Sequence, residues 1–185
     1  MFLSHKTIER LIADGQITIG PEFDLKDIRP VGVRIHIANE ILVPEERQTV
    51  DLNEAVELKY KTVHLDKEEF YLEPGGFILG ATYELIKTPK DVVCFLDGRS
   101  TIARLGLTTH ITAAIIEGVY DSPHSTVLEI KNLGNFRIRL HYKNPIGMMC
   151  FAKITEPIEQ ELQSQYKSQE KVAPPNLKFR TGIDK

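Results

Sequence analysis

Between Pro89 and Asn132 the chain concentrates side chains that could hold an anion or move a proton. The run Asp97-Gly-Arg-Ser-Thr-Ile-Ala-Arg-Leu-Gly106 sets Arg99 and Arg104 apart with hydroxyls between them. Guanidinium forks match phosphate oxygens, and hydroxyls or backbone amides add donors. The same residues also suit a solvated helix turn or strand edge, and spacing alone favours that plainer reading. Further on, Thr126-Val-Leu-Glu-Ile-Lys-Asn132 places one carboxylate, Glu129, in an aliphatic, strand-like run. At period two Glu129 shares a face with Val127 and Lys131, opposite Leu128 and Ile130. A carboxylate desolvated among aliphatic groups gains a pKa suited to a general base. One that faces water would instead pair with Lys131. Alternation fits both.

Several chemistries are excluded by what is missing. There is no Walker A loop, no GxGxxG and no HExxH. Asp97-Gly98-Arg99-Ser100 lacks the frame of a nucleophile elbow. The His-x-Glu…Pro-Cys-x-x-Cys signature of zinc nucleobase deaminases is absent, and the histidines show no ligand-like spacing. Cys94 and Cys150 are the only 2 cysteines, each inside an apolar run, which predicts buried reduced thiols and no disulfide or zinc scaffold.

The elements that must position these residues are mostly strands. Ser4, Ile8, Leu11, Ile12 and Gly15 predict a short N-terminal helix with its cap and stop. Short apolar or alternating runs follow at Ile17–Ile19, Val31–Ile37, Thr62–Leu65 and Phe77–Leu79. Phe136, Ile138, Leu140 and Tyr142 predict a half-exposed strand. Turns are expected at Glu73–Gly76, Asn132–Asn135 and Lys143–Gly147. This pattern reads as a mainly β sandwich or barrel. Ile158, Leu162 and Tyr166 suggest a weakly amphipathic helix over 157–170. With 185 residues, 42% hydrophobic, one domain is expected, over residues 1–170, with 171–185 as a C-terminal tail. A net charge of −3 gives no support to nucleic-acid binding. The absence of a long apolar run predicts a cytoplasmic protein without membrane contact.

Met1-Phe-Leu-Ser4, Phe70-Tyr-Leu-Glu-Pro-Gly75, Gly98-Arg-Ser-Thr-Ile-Ala-Arg-Leu-Gly-Leu107, His110 with Thr112-Ala113, Leu128-Glu129 with Asn132, and Pro145-Ile-Gly-Met148 together resemble one family. It is the dCTP deaminases of the trimeric dUTPase superfamily, and the resemblance covers roughly residues 1–170. It implies a distorted β-barrel or jelly roll of the dUTPase-like type, a homotrimer, and active sites between subunits. It implies conversion of dCTP to dUTP and ammonia without zinc. Glu129 would be the general base and acid, and Ser100, Arg104 and the backbone of Ala113 would position the water. Arg99, Ser100, Thr101 and Arg104 would meet a triphosphate carrying Mg²⁺. Ile102, Ala103, Thr112, Glu117, Tyr120, Val127, Leu128, Tyr166 and Gln169 complete the implied nucleotide contacts, with 171–185 as a lid. Thymidine triphosphate is the implied inhibitor.

Four features depart from the family pattern. In Val33-Arg-Ile-His-Ile-Ala38, Arg34 replaces an acid and Ala38 a glycine, so either a trimer contact changes or a compensating acid stands elsewhere. Glu117 stands where Asp is usual. The loop Asp121–Ser125 is about two residues longer. Gln165 occupies a usual lysine position, for which Lys167 or Lys171 could compensate. Three functions fit, in this order: a dCTP deaminase, a bifunctional deaminase–diphosphatase or dUTPase forming dUMP, and a nucleotide-binding homologue without catalysis. The second is motivated by the turn Ala113-Ala-Ile-Ile-Glu117, which lacks a basic residue.

Overall fold

The computed structural model describes residues 1–54, 56–116, 121–159, 166 and 169–177. Helix α1 (His5–Ala13) starts after Ser4, whose backbone is extended but whose hydroxyl makes no cap bond to the helix. Gly15, at φ +69°, ends it with its amide on the Ile12 carbonyl. Ile8 is fully buried, which fixes the helix to the β core.

Strands follow in the order β1 (Thr18–Gly20), β2 (Ile28–Arg29), β3 (Gly32–His36), β4 (Glu40–Pro44), β5 (Tyr60–His64), β6 (Phe70–Leu72), β7 (Phe77–Ala81), β8 (Leu85–Lys87) and β9 (Val92–Asp97). After α2 (Ser100–Ala103) come β10 (Ile115–Ile116), β11 (Val127–Lys131), β12 (Ile138–Leu140) and β13 (Pro145–Lys153). One sheet runs β10-β9-β13-β3-β2 and a second runs β11-β7-β4-β5. Two antiparallel ribbons, β1-β8 and β12-β6, complete the set. The protein is thus mainly β, as expected. Among the described residues no sheet closes on itself, so the barrel character is carried by open sheets around a shared core.

That core follows from alternation. Val33 and Ile35 of β3, Cys94 and Leu96 of β9, and Ile78, Leu128 and Ile130 of β7 and β11 point into one cluster. A smaller cluster lies on the other face of the second sheet, where Leu42, Leu79 and Ala81 are covered by Val172. Cys94 and Cys150 are free and buried. Burial, with Cys150 adding to it, pushes the Cys94 thiol well up, so it is a packing residue and not a nucleophile.

The turn after β11 is held by Asn132, which is 0% exposed. Its side-chain amide donates to the carbonyls of Leu72 (3.0 Å) and Phe136 (2.7 Å), and its oxygen accepts from the Gly134 amide (3.1 Å). Replacing Asn132 by Ala removes all three bonds, including the one to the carbonyl of buried Leu72. The expected cost is about 3 kcal/mol in urea unfolding, against well under 1 kcal/mol for Asn135→Ala in the same exposed turn.

Candidate functional site

The signature segment is fastened to the second sheet in steps. Strand β9 ends at Asp97, whose carboxylate accepts the Gly98 amide at 2.7 Å and turns the chain. The single turn α2 follows. Ile102 packs on the main core, while Ser100, Thr101, Ala103 and Arg104 stay exposed. Gly106, at φ +81°, then presses against Gly134 so closely that a Cβ would sit 2.4 Å from the Gly134 nitrogen. The Leu133 amide donates to the Gly106 carbonyl at 2.8 Å.

Beyond Gly106 the chain runs beside β11. The Thr108 amide donates to the Lys131 carbonyl (2.9 Å), and the Thr108 hydroxyl accepts the Lys131 amide (3.1 Å). The Ile111 amide then donates to the Glu129 carboxylate at 3.2 Å. This contact joins the candidate base to the segment carrying Thr112 and Ala113, which are exposed.

Glu129 lies opposite Leu79 on the face away from the main core. Lys131 does not neutralise it, because its ammonium donates to the Gly75 carbonyl. The carboxylate is half-buried, beside aliphatic Leu79, and held by a backbone donor. Val127 shares its face and packs on the smaller cluster. The Leu128 side chain is 0% exposed in the main core, so a contact from Leu128 to a ligand on the Glu129 face would come from its backbone.

The side chains of Ser100 and Arg104 make no hydrogen bond or ion pair among the described residues, and none there ties them to Glu129; the Arg104 amide donates to the Ser100 carbonyl at 3.1 Å. Arg99 donates from Nη1 to the Pro145 carbonyl at 2.8 Å. Gln169 is joined to the strand side of the site by its carbonyl, which accepts the Ser125 amide at 2.9 Å and hydroxyl at 3.2 Å. Its side-chain nitrogen is buried without a partner, as are the Thr109 hydroxyl and His110 Nδ1. The Tyr166 hydroxyl accepts the Asn176 amide at 3.1 Å. Glu117, Tyr120, Gln165 and Lys167 lie outside the described residues, as does most of the helix expected over 157–170; residues 157–159 and 169–170 are not helical.

Two departures from the family pattern have structural answers. Arg34 is paired with Asp27 at 3.0 Å, so the compensating acid stands on the neighbouring strand turn. Within 121–125, His124 and Ile86 exchange backbone bonds of 3.2 and 3.1 Å, which tie this segment to β8. Sequence reasoning missed Asp27, Thr108 and Thr109. The first was accessible, because the tight β2–β3 hairpin pairs Ile28 with Val33 and so sets Asp27 beside Arg34. No group of three or more His, Cys, Asp and Glu could hold a metal among the described residues. Nor is any helix there long and apolar enough to cross a membrane.

A family model described as dCTP deaminase-like matches residues 2–154. The chain belongs to the dCTP deaminase-like family. Curated relatives agree. A protein of Streptomyces coelicolor named "dCTP deaminase, dUMP-forming" is 34% identical over 168 residues, covering 89% of this chain and 86% of the relative. One of the same name from Methanothermobacter thermautotrophicus is 34% identical, covering 85% and 81%. Among solved structures, the 2'-deoxycytidine 5'-triphosphate deaminase from Agrobacterium tumefaciens superposes with a TM-score of 0.63 at 17% identity. That match covers 81% of this chain and 46% of the solved one, so this chain spans about half of it and the likeness concerns fold alone.

Proposed function

We propose that this dCTP deaminase-like protein deaminates dCTP and carries the product on to dUMP. The observation that carries the deaminase reading is Glu129, a half-buried carboxylate held by the Ile111 amide beside exposed Thr112 and Ala113. Deamination requires water to add to C4 of the cytosine ring and ammonia to leave. Glu129 takes the proton from water, protonates the ring nitrogen, and delivers a proton to the departing amino group. Ser100, Arg104 and the Ala113 backbone hold the water and the developing charge. Arg99, Ser100, Thr101 and Arg104 hold the triphosphate, and Mg²⁺ enters with the nucleotide on its phosphate oxygens.

The dUMP product rests on two supports: the printed names of the relatives and the absence of a basic residue in Ala113–Glu117. This places the second expected product ahead of dUTP. The second reaction attacks the α-phosphorus with water and expels diphosphate. Incubation with dCTP and Mg²⁺ should give dUMP, diphosphate and ammonia without accumulating dUTP. Stoichiometric dUTP would restore the simple deaminase, and inert dCTP would leave a binding protein.

The site is proposed to form in a homotrimer. The Ser100 and Arg104 side chains are exposed and have no partner among the described residues, as suits groups that meet a carboxylate of another subunit through the ligand. Ile111 and Ile115 are 53% and 59% exposed, and Leu133 on the turn after β11 is 69% exposed. Apolar side chains so placed suit a subunit contact.

A further inference from the structure

The outer face of the five-stranded sheet brings three guanidinium groups together. Arg29 and Arg34 lie on one face of the β2–β3 hairpin, because Arg29 pairs with Gly32 and Arg34 is two residues further along. Arg34 shares a row with Met148 and Asp97 across β13. Arg99 follows that row and reaches back over β13 to the Pro145 carbonyl. Partial burial, then the guanidinium groups of Arg34 and Arg29, lower the Arg99 pKa, and Asp27 opposes them. Arginine nonetheless keeps its charge at neutral pH.

Three carboxylates stand nearby, but only one of them pairs with an arginine of this set. Asp27 is bound to Arg34. Asp97 turns its carboxylate onto the Gly98 amide. Glu84 is engaged by the His36 amide and ring, at 2.9 and 2.6 Å. Arg29 is exposed and has no ion pair among the described residues. Each guanidinium offers five N–H donors, and the described residues take one from Arg34 and one from Arg99. Most of the donors are therefore free, and they cluster about one side chain, Arg99, of the nucleotide-binding signature.

We propose that Arg34, oriented by Asp27, is a phosphate-binding residue of this protein and that it holds, with Arg29 and Arg99, the outer phosphates of the nucleotide. The inference rests on the nucleotide-converting function proposed above, and it concerns residues beyond the family signature. Asp27 acts as the positioning residue: it takes one Nη1 donor of Arg34 at 3.0 Å and leaves the other donors without a partner among the described residues.

The test uses inorganic tripolyphosphate and dCTP as probes. Loss of a charge-assisted fork costs about 10- to 100-fold in affinity. Arg34→Gln should weaken tripolyphosphate binding by that factor in calorimetry. It should raise KM for dCTP similarly, with kcat falling far less, because the contact is made equally in the ground and transition states. Arg29→Gln should weaken tripolyphosphate by about 3- to 10-fold. If Arg34→Gln does not fold because Asp27 is left unpaired, the double variant Asp27→Asn/Arg34→Gln removes both charges and should show the same loss. Wild-type affinity for tripolyphosphate in the folded Arg34 variant and in Arg29→Gln overturns the inference. The two readings fail separately. Tripolyphosphate binding that depends on Arg34 without dCTP turnover refutes only the catalytic function. dCTP turnover with tripolyphosphate binding indifferent to Arg34 refutes only this site.

Discussion

Glu129→Gln should reduce dCTP deamination by about 10²- to 10⁴-fold while the protein still folds and binds nucleotide. The amide is nearly the same size as the carboxylate, and its oxygen can still accept the Ile111 amide that Glu129 now holds at 3.2 Å. Strand β11 keeps its pairing with β7, since the ladder that sets Glu129 opposite Leu79 is made by the backbone. What is lost is the capacity to take a proton from water and pass it to the ring and the amino group. Diphosphate release from dUTP protonates neither the ring nor an amino group, and its water attacks at the α-phosphorus instead of C4, so dUTP should still become dUMP in this variant. Ammonia release from dCTP and diphosphate release from dUTP, followed side by side, separate the two chemistries. Deamination within tenfold of wild type would remove Glu129 from its role; loss of both reactions with nucleotide binding intact would mean that one carboxylate serves both.

The face of Glu129 was legible in the sequence because period two leaves no choice once Leu128 and Ile130 are buried. Its partner was not. Alternation offered Lys131 or solvent, and the structure supplies a backbone amide from Ile111, a donor that every residue but proline carries and that no composition shows. The N-terminal helix was readable for the opposite reason: its apolar spacing and its glycine stop are both local. The strand expected over Phe136–Tyr142 shortens to Ile138–Leu140 because its partner β6 is itself short and pairs only Phe70–Leu72, next to the Glu73-Pro74-Gly75 turn. Sheet order depends on pairings distant in the chain, such as β13 between β3 and β9, and these carry no local signal. The resemblance to a family carried that information where periodicity could not.

Gly106→Ala should be among the most disruptive single substitutions in the chain, and the reason is contact more than conformation. Gly15 and Gly106 have similar backbones, φ +69° and +81°. A Cβ on Gly15 meets nothing within 4 Å, whereas one on Gly106 falls 2.4 Å from the Gly134 nitrogen and 2.6 Å from its Cα. Gly15→Ala therefore incurs only the left-handed penalty, about 1–2 kcal/mol. Gly106→Ala adds a backbone collision that can be relieved only by parting α2 from the β11–β12 turn, for a total of about 4 kcal/mol or more. The obstructing atoms are main chain on both sides, since a Cβ on Gly134 would equally strike the Leu105 carbonyl. Parting them also moves Ser100 and Arg104, which α2 presents, relative to the Thr108–Ile111 segment that holds Glu129. Urea unfolding should then rank Gly106→Ala well below Gly15→Ala, and dCTP turnover measured where both variants are folded should fall only in the first. Equal stability of the two variants would show that the Gly106–Gly134 approach does not fix the site.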